Sequence, residues 1–123
     1  MSHIHLPHDH GKSLEHLLPH LPAPEDFQNL SELFRQCSDG SRLRLFWLLC
    51  HGEACVTNLS AMMEMSSPAV SHHLRQLKAT GLVTSRREGK EVYYKAADTP
   101  AACVLHSAME RLMEITCPGP DNL

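Results

Sequence analysis

No stretch of the 123-residue chain approaches the roughly 18 consecutive apolar residues that a membrane-spanning helix needs. Its first residues, MSHIHLPHDHGK, lack the apolar segment of a secretory signal. Both absences point to a cytoplasmic protein with no membrane partner. The 5 cysteines are an odd number in a chain without export signals, which argues against a disulfide scaffold. Reduced thiols remain, as core fillers, metal ligands or redox sensors. Catalytic signatures are missing as well: the sequence has no HExxH, no Gly-rich phosphate loop and no GxSxG turn. No enzyme and no organic cofactor are expected. Net positive charge is also lacking, at -3, a balance that taken alone argues against nucleic acid.

The distribution of charge reverses that last exclusion. From Val70 to Lys95 the bases are Arg75, Lys78, Arg86, Arg87, Lys90 and Lys95, against Glu88 and Glu91. The segments on either side are acidic. A basic stripe on an acidic chain is a local footprint, and local potential is what a phosphate meets. Hydrophobic residues make up 42% of the chain, an ordinary globular share. The length suits one domain with a modest core.

Residues 1–23 are rich in His and Pro. Six of the 10 histidines (His3, His5, His8, His10, His16, His20) lie there. Pro19, Pro22 and Pro24 forbid a continuous helix. This segment is expected to be a flexible arm with at most one short turn, Ser13 to Leu18. Residues 24–117 carry the periodic pattern of a folded domain, and 118–123 read as a flexible C-terminus. PEDFQNLSELFRQC places Phe27, Leu30, Leu33 and Phe34 at helical spacing. DGSRLRLFWLLCHG predicts a central helix, capped by Asp39 or Ser41 and stopped by Gly52. VTNLSAMMEM predicts a short third helix, capped at Thr57. Ser66 or Ser67 caps a fourth, which runs to Gly81. LVTSRREGKEVYYKA alternates as a hairpin with a Gly turn. TPAACVLHSAMERLMEITC predicts a last helix ended by Pro118-Gly119. The fold class is mostly α with a small β-hairpin (α+β): four helices, the hairpin, then a fifth helix.

The fourth helix carries the chemistry. Val70, Leu74 and Leu77 form its core side at i, i+4, i+7. Ser67, Pro68, Ser71, His72 and Arg75 then fall on or near the opposite face, with Lys78 at its border and His73 beside the apolar stripe. Ser and His can reach base edges in a major groove, while Arg and Lys meet phosphates. A solvated amphipathic helix is the plainer reading of the same face. The neighbours favour the first. A short helix and a turn precede it, as in a helix-turn-helix. A hairpin with Arg86, Arg87 and Lys90 near its tip follows, as a wing would. Tyr93 or Tyr94 can also touch DNA, while the other packs on the domain. Trp47, Met62, Met63 and Met65 are expected to fill core gaps.

The stretches DGSRLRLFWLL, GEACVTNL, SSPAVSHHLRQLKATGLV and RREGKEVYYKA resemble the ArsR/SmtB family of winged helix-turn-helix repressors, over about Leu30 to Glu114. That resemblance implies a homodimer joined through the first and last helices. It implies binding to a palindromic operator in double-stranded DNA, with release when an inducer, usually a metal ion, binds. The family's reading positions correspond to Ser67, Pro68, Ser71 and His72.

The resemblance also suggests where an inducer sits. Family members carry a pattern resembling ELCVCDL on the third helix. Here EACVTNL keeps the first thiolate position, Cys55, and puts Thr57 at the second. Relatives complete this site from an N-terminal arm, which here offers His3, His5, His8 and His10. One thiolate and several imidazoles suit tetrahedral Zn²⁺, with Co²⁺, Ni²⁺ and Cd²⁺ as alternatives. The competing reading makes Cys55 a small hydrophobe and the arm a solvated tail. A second family site, on the last helices, keeps Asp98 and Glu114 at its ends. Pro100 and Arg111 occupy the imidazole positions, so it is broken. Cys103, His106 and Glu110 share one helical face instead, at i, i+3, i+7, and across a dimer they offer a different metal site. Cys50 is assigned to the core. Cys117 near the C-terminus can pair with another thiol, so a cysteine-based redox or reactive-sulfur sensor of the same fold is the alternative. A metal chaperone working through the arm alone would leave the basic helix and hairpin unexplained.

Overall fold

A computed structural model describes residues 6–8 and 14–115. The chain divides into two compact units, Met1–Ser31 and Glu32–Leu123, with the boundary inside the first α-helix. The expected C-terminal tail lies outside the described residues.

The first unit holds a 3-10 helix, Leu14–His20, and the start of α1 (Pro24–Gln36). The turn expected near Ser13 to Leu18 is therefore present and extends past Pro19. α1 opens on a reciprocal cap. The Asp26 amide donates to the Ala23 carbonyl, and the Ala23 amide donates to Asp26 Oδ2, each at 3.0 Å. Pro24 takes the first helical position, where no amide hydrogen is needed. Phe27 and Leu30 are exposed.

The second unit contains α2 (Gly40–Leu49), β1 (Ala54–Cys55), α3 (Val56–Met63), α4 (Ser67–Ala79), β2 (Val83–Glu88), β3 (Glu91–Ala96) and α5 (Pro100–Met113). This is the expected order with one short strand added. Side-chain caps start three of the helices: Asp39 accepts from the Arg42 amide, Ser66 from the Ala69 amide and Thr99 from the Ala102 amide. The cap expected at Thr57 is replaced by Cys55, because β1 delivers the chain into α3 two residues earlier. α3 and α5 stop on Glu64 and Glu114, both left-handed at φ 54. In each, the next amide reaches back to the last turn: Met65 to the Ser60 carbonyl at 3.1 Å, Ile115 to the Glu110 carbonyl at 2.9 Å. α5 thus ends before the expected Pro118-Gly119 stop. α4 ends at Ala79, and α2 at Leu49, ahead of Gly81 and Gly52 respectively.

The sheet is antiparallel in the order β1-β3-β2. Its hairpin closes on the Glu88–Glu91 pair, with Gly89 at φ 63 supplying the positive dihedral that a tight turn demands. The core is built from α2 (Leu45, Phe46, Leu49), α3 (Leu59, Met63), α4 (Val70, Leu74, Leu77) and the start of the hairpin (Leu82, Val83). α2 is central, as its wide apolar surface requires. Met62 is 48% exposed, so it does not fill the core as expected. An open apolar groove of about 570 Å³ runs between α2 and α5, lined by Leu43, Trp47, Met109, Leu112 and Met113 among others. Trp47 Nε1 is buried without a hydrogen-bond partner among the described residues. Among those residues, no helix is long and apolar enough to cross a membrane.

Candidate nucleic-acid interface

α4 is seated by its inner stripe. Val70 and Leu74 are 0% exposed and Leu77 is 1% exposed. Two short polar contacts fix its ends. Near the start, Ser67 Oγ lies 3.2 Å from Ser60 Oγ of α3, which holds the helix-turn-helix corner. Near the end, Lys78 Nζ donates to Ser85 Oγ of β2 at 2.7 Å, joining the helix to the hairpin. Ser67, Pro68, His72, Arg75 and Lys78 are exposed and Ser71 is half-buried. The helix therefore presents hydroxyl and imidazole groups near its N-terminus and cations toward its C-terminus, as its sequence implies.

The cations of the hairpin divide into two kinds. Arg87 and Lys90 are exposed near the tip. Arg86 is held by carboxylates. Its Nη2 and Nε donate to the two oxygens of Glu53 at 2.7 and 2.8 Å, and its Nη1 donates to Glu88 at 2.6 Å. Its guanidinium also lies over the Tyr93 ring, 4.8 Å from the centroid. These bonds hold the Glu53 carboxyl below the usual carboxylate range. They also raise the affinity of Arg86 for its proton, with Glu53 the largest cause. Arg86, expected among the DNA contacts, thus ties the hairpin to the segment before β1. Sequence reasoning missed this because Glu53 and Arg86 are far apart along the chain. Tyr94 packs on the core and Tyr93 supports Arg86.

The sensor candidates are more scattered. Cys55 is half-buried on β1, where it pairs with Tyr93 of β3. Its side chain makes no capping bond although it stands at the N-cap of α3, so its thiol is not committed to closing the helix. His8 is exposed, and His3, His5 and His10 lie outside the described residues. On α5, His106 Nε2 lies 3.4 Å from Glu110, while Cys103 is exposed. Among the described residues, no group of three or more His, Cys, Asp and Glu is arranged to hold a metal ion. Within one chain, then, the face shared by Cys103, His106 and Glu110 yields a pair. A grouping that sequence spacing did not reveal is a cleft of about 240 Å³ lined by Cys50, Asp98, Cys103 and His106. It brings the end of α2 against α5. Cys50, assigned to the core from sequence, is half-buried at its wall. Burial pushes the Cys37 thiol up, against the opposing charge of Arg42.

Helix, turn, helix and antiparallel wing, with a polar face on the second helix, define a winged helix-turn-helix protein. The profile of "Bacterial regulatory protein, arsR family" matches residues 39–85. A transcriptional repressor SmtB homolog from Synechocystis is 36% identical over 85% of this chain and 80% of its own length. A cadmium resistance transcriptional regulatory protein CadC homolog from Staphylococcus aureus is 32% identical, over 79% of this chain and 81% of its own. Among solved structures, a homodimeric winged helix-turn-helix DNA-binding domain from Mycobacterium bovis, a possible ArsR-family transcriptional regulator, superposes with TM-score 0.64. It is 27% identical and covers 77% of this chain and 92% of its own. The chain belongs to the ArsR family of bacterial transcriptional regulators, which are not enzymes.

Proposed function

We propose that this protein is a cytoplasmic, homodimeric transcriptional repressor that reads a palindromic operator in double-stranded DNA and leaves it when an inducer binds. The observation that carries the reading is the division of α4 into a fully buried apolar stripe and an outward face on which Ser67, Pro68, His72, Arg75 and Lys78 are exposed and Ser71 is half-buried. Ser67, Pro68, Ser71 and His72 sit where base edges are met. Arg75, Lys78, Arg87 and Lys90 neutralise phosphates, while Arg86 holds the wing in place. In a dimer the two α4 helices address successive major grooves, about 34–36 Å apart.

The inducer in this reading is a transition metal ion of the Zn²⁺ class, with Co²⁺, Ni²⁺ or Cd²⁺ as alternatives. Cys55 and imidazoles from His3, His5, His8 and His10 of the arm 1–23 would supply the ligands, a donor set suited to a tetrahedral ion. The relatives named for cadmium resistance and as an SmtB homolog support this class of ligand. Cys55 is well placed to transmit a pull, since its strand partner Tyr93 underlies Arg86 of the wing. A coupling of about 1–3 kcal/mol between the two sites is the expected scale. Deleting residues 2–20 should leave DNA binding intact and blunt release by metal, measured by fluorescence anisotropy with a metal panel. Release that persists at full strength in the deletion would move the sensor to His106 and its neighbours.

One observation favours a second reading. Cys50 and Cys103 line the same cleft, an arrangement suited to a cysteine-based redox or reactive-sulfur sensor. Oxidant that abolishes DNA binding while metals and chelators leave it unchanged would establish that reading in place of the metal.

A further inference from the structure

α4 is held by more than its apolar stripe. Gln36, at the end of α1, is 4% exposed and is the one buried polar residue among those described. Its side-chain oxygen accepts from Arg42 Nη1 at 2.5 Å, and its Nε2 donates to Glu32 at 3.0 Å. Arg42, in the first turn of α2, turns its Nε to His73 Nδ1 on α4, at 3.3 Å. Asp39 accepts from the Arg42 amide at 2.9 Å and lies 3.9 Å from His73 Nε2. A chain of directional bonds therefore runs from Gln36 through Arg42 to His73. The His73 side chain is 12% exposed, and its neighbour in sequence is His72 on the outward face.

We propose that Gln36, Arg42 and His73 form a strut that sets the roll of α4, making His73 a positioning residue for sequence-specific DNA reading. This rests on the DNA-binding reading above. Val70, Leu74 and Leu77 define which side of α4 is buried, but apolar contacts are non-directional and tolerate small rotations. A guanidinium–imidazole bond weakens steeply once its angle is lost. A small roll of α4 moves Ser71 and His72 off base edges while Arg75, Lys78, Arg87 and Lys90 still find phosphates. The strut thus governs discrimination between sequences more than affinity for DNA in general.

The strut also has a protonation state. Nδ1 accepts from Arg42, so the His73 ring must be neutral. Burial lowers its pKa from the ordinary 6.5; the charges of Arg42 and His72 add to that, and Asp39 opposes it. Glu32 and Gln36 face Arg42 from the far end of the chain of bonds. Above pH 6.5 the ring is neutral whether the chain is folded or not, and the strut is whole. As pH falls through the lowered folded value, Nδ1 gains a proton, faces a guanidinium donor, and the strut opens.

The test uses the full-length protein and a duplex that the wild type selects from a random library, with an unselected duplex of equal length as reference. His73→Leu removes the acceptor, whereas His73→Asn keeps one near the Nδ1 position. The expected result for folded His73→Leu is a loss of about tenfold or more on the selected duplex with little change on the reference, and near wild-type behaviour for His73→Asn. As pH falls through the lowered His73 value, the ratio of selected to unselected affinity should fall in the wild type and stay flat in His73→Asn. Should His73→Leu fail to fold, that pH comparison decides: parallel profiles overturn the strut. Equal losses on both duplexes, or none, overturn it too. A wild type that selects no duplex overturns the DNA reading itself, and the strut with it.

Discussion

α4 and α5 are built alike and finished differently. Each starts on a hydroxyl cap with Pro in its first turn, and each buries a narrow stripe. α4 buries Val70, Leu74 and Leu77 and turns Ser, His, Arg and Lys outward. α5 buries Ala102 and Met109 and leaves Val104 at 68%, Leu112 at 85% and Met113 at 51% exposed. An exposed apolar face calls for an apolar partner, and an exposed cationic face calls for a polyanion. In the proposed reading α4 faces DNA, and α5 faces a second copy of the chain.

Mutations on the two helices should separate these roles. Leu74→Ala, on the buried side of α4, should destabilise the fold by about 2–5 kcal/mol, read by denaturant unfolding; a loss under 1 kcal/mol would contradict the packing. Leu112→Glu puts a charge on the outer face of α5. It should leave the single chain folded and weaken dimerisation by about a hundredfold, seen by sedimentation; an unchanged dimer would show that α5 is not the interface. Ser71→Ala with His72→Ala should lower operator affinity by roughly tenfold to a hundredfold with the dimer intact, and equal affinity would reject α4 as the reader. Lys90→Ala, at the wing tip, should weaken binding evenly across sequences and reduce the salt slope by about 1. Arg86→Ala should instead loosen the wing, since its guanidinium is already held by Glu53 and Glu88.

The same contrast explains what could be read in the sequence. The inner and outer faces of α4 follow from helical spacing, which is local, and so do the caps at Asp39, Ser66 and Thr99. The hairpin follows from alternation around Gly89. β1 could not be read, because two residues make a strand only when β3 lies beside them. Glu64 and Glu114 end their helices in a conformation usually assigned to glycine, so α5 stops earlier than Pro118-Gly119 suggests. The bond of Arg86 to Glu53, the strut from Gln36 to His73 and the cleft shared by Cys50 and Cys103 all join distant parts of the chain. No spacing rule reaches them. The cation count located the wing but could not show that Arg86 is paired with Glu53 and Glu88, because a count of charges carries no information about partners.

The central claim is that the outward face of α4 enters the major groove, one helix per half-site. Dimethyl sulfate footprinting of guanine N7 on a duplex selected by the wild type tests it most directly. The expected result is two patches of major-groove protection centred about 10 base pairs apart, both lost in the Ser71→Ala/His72→Ala variant. Bound protein that leaves every guanine N7 reactive would contradict it.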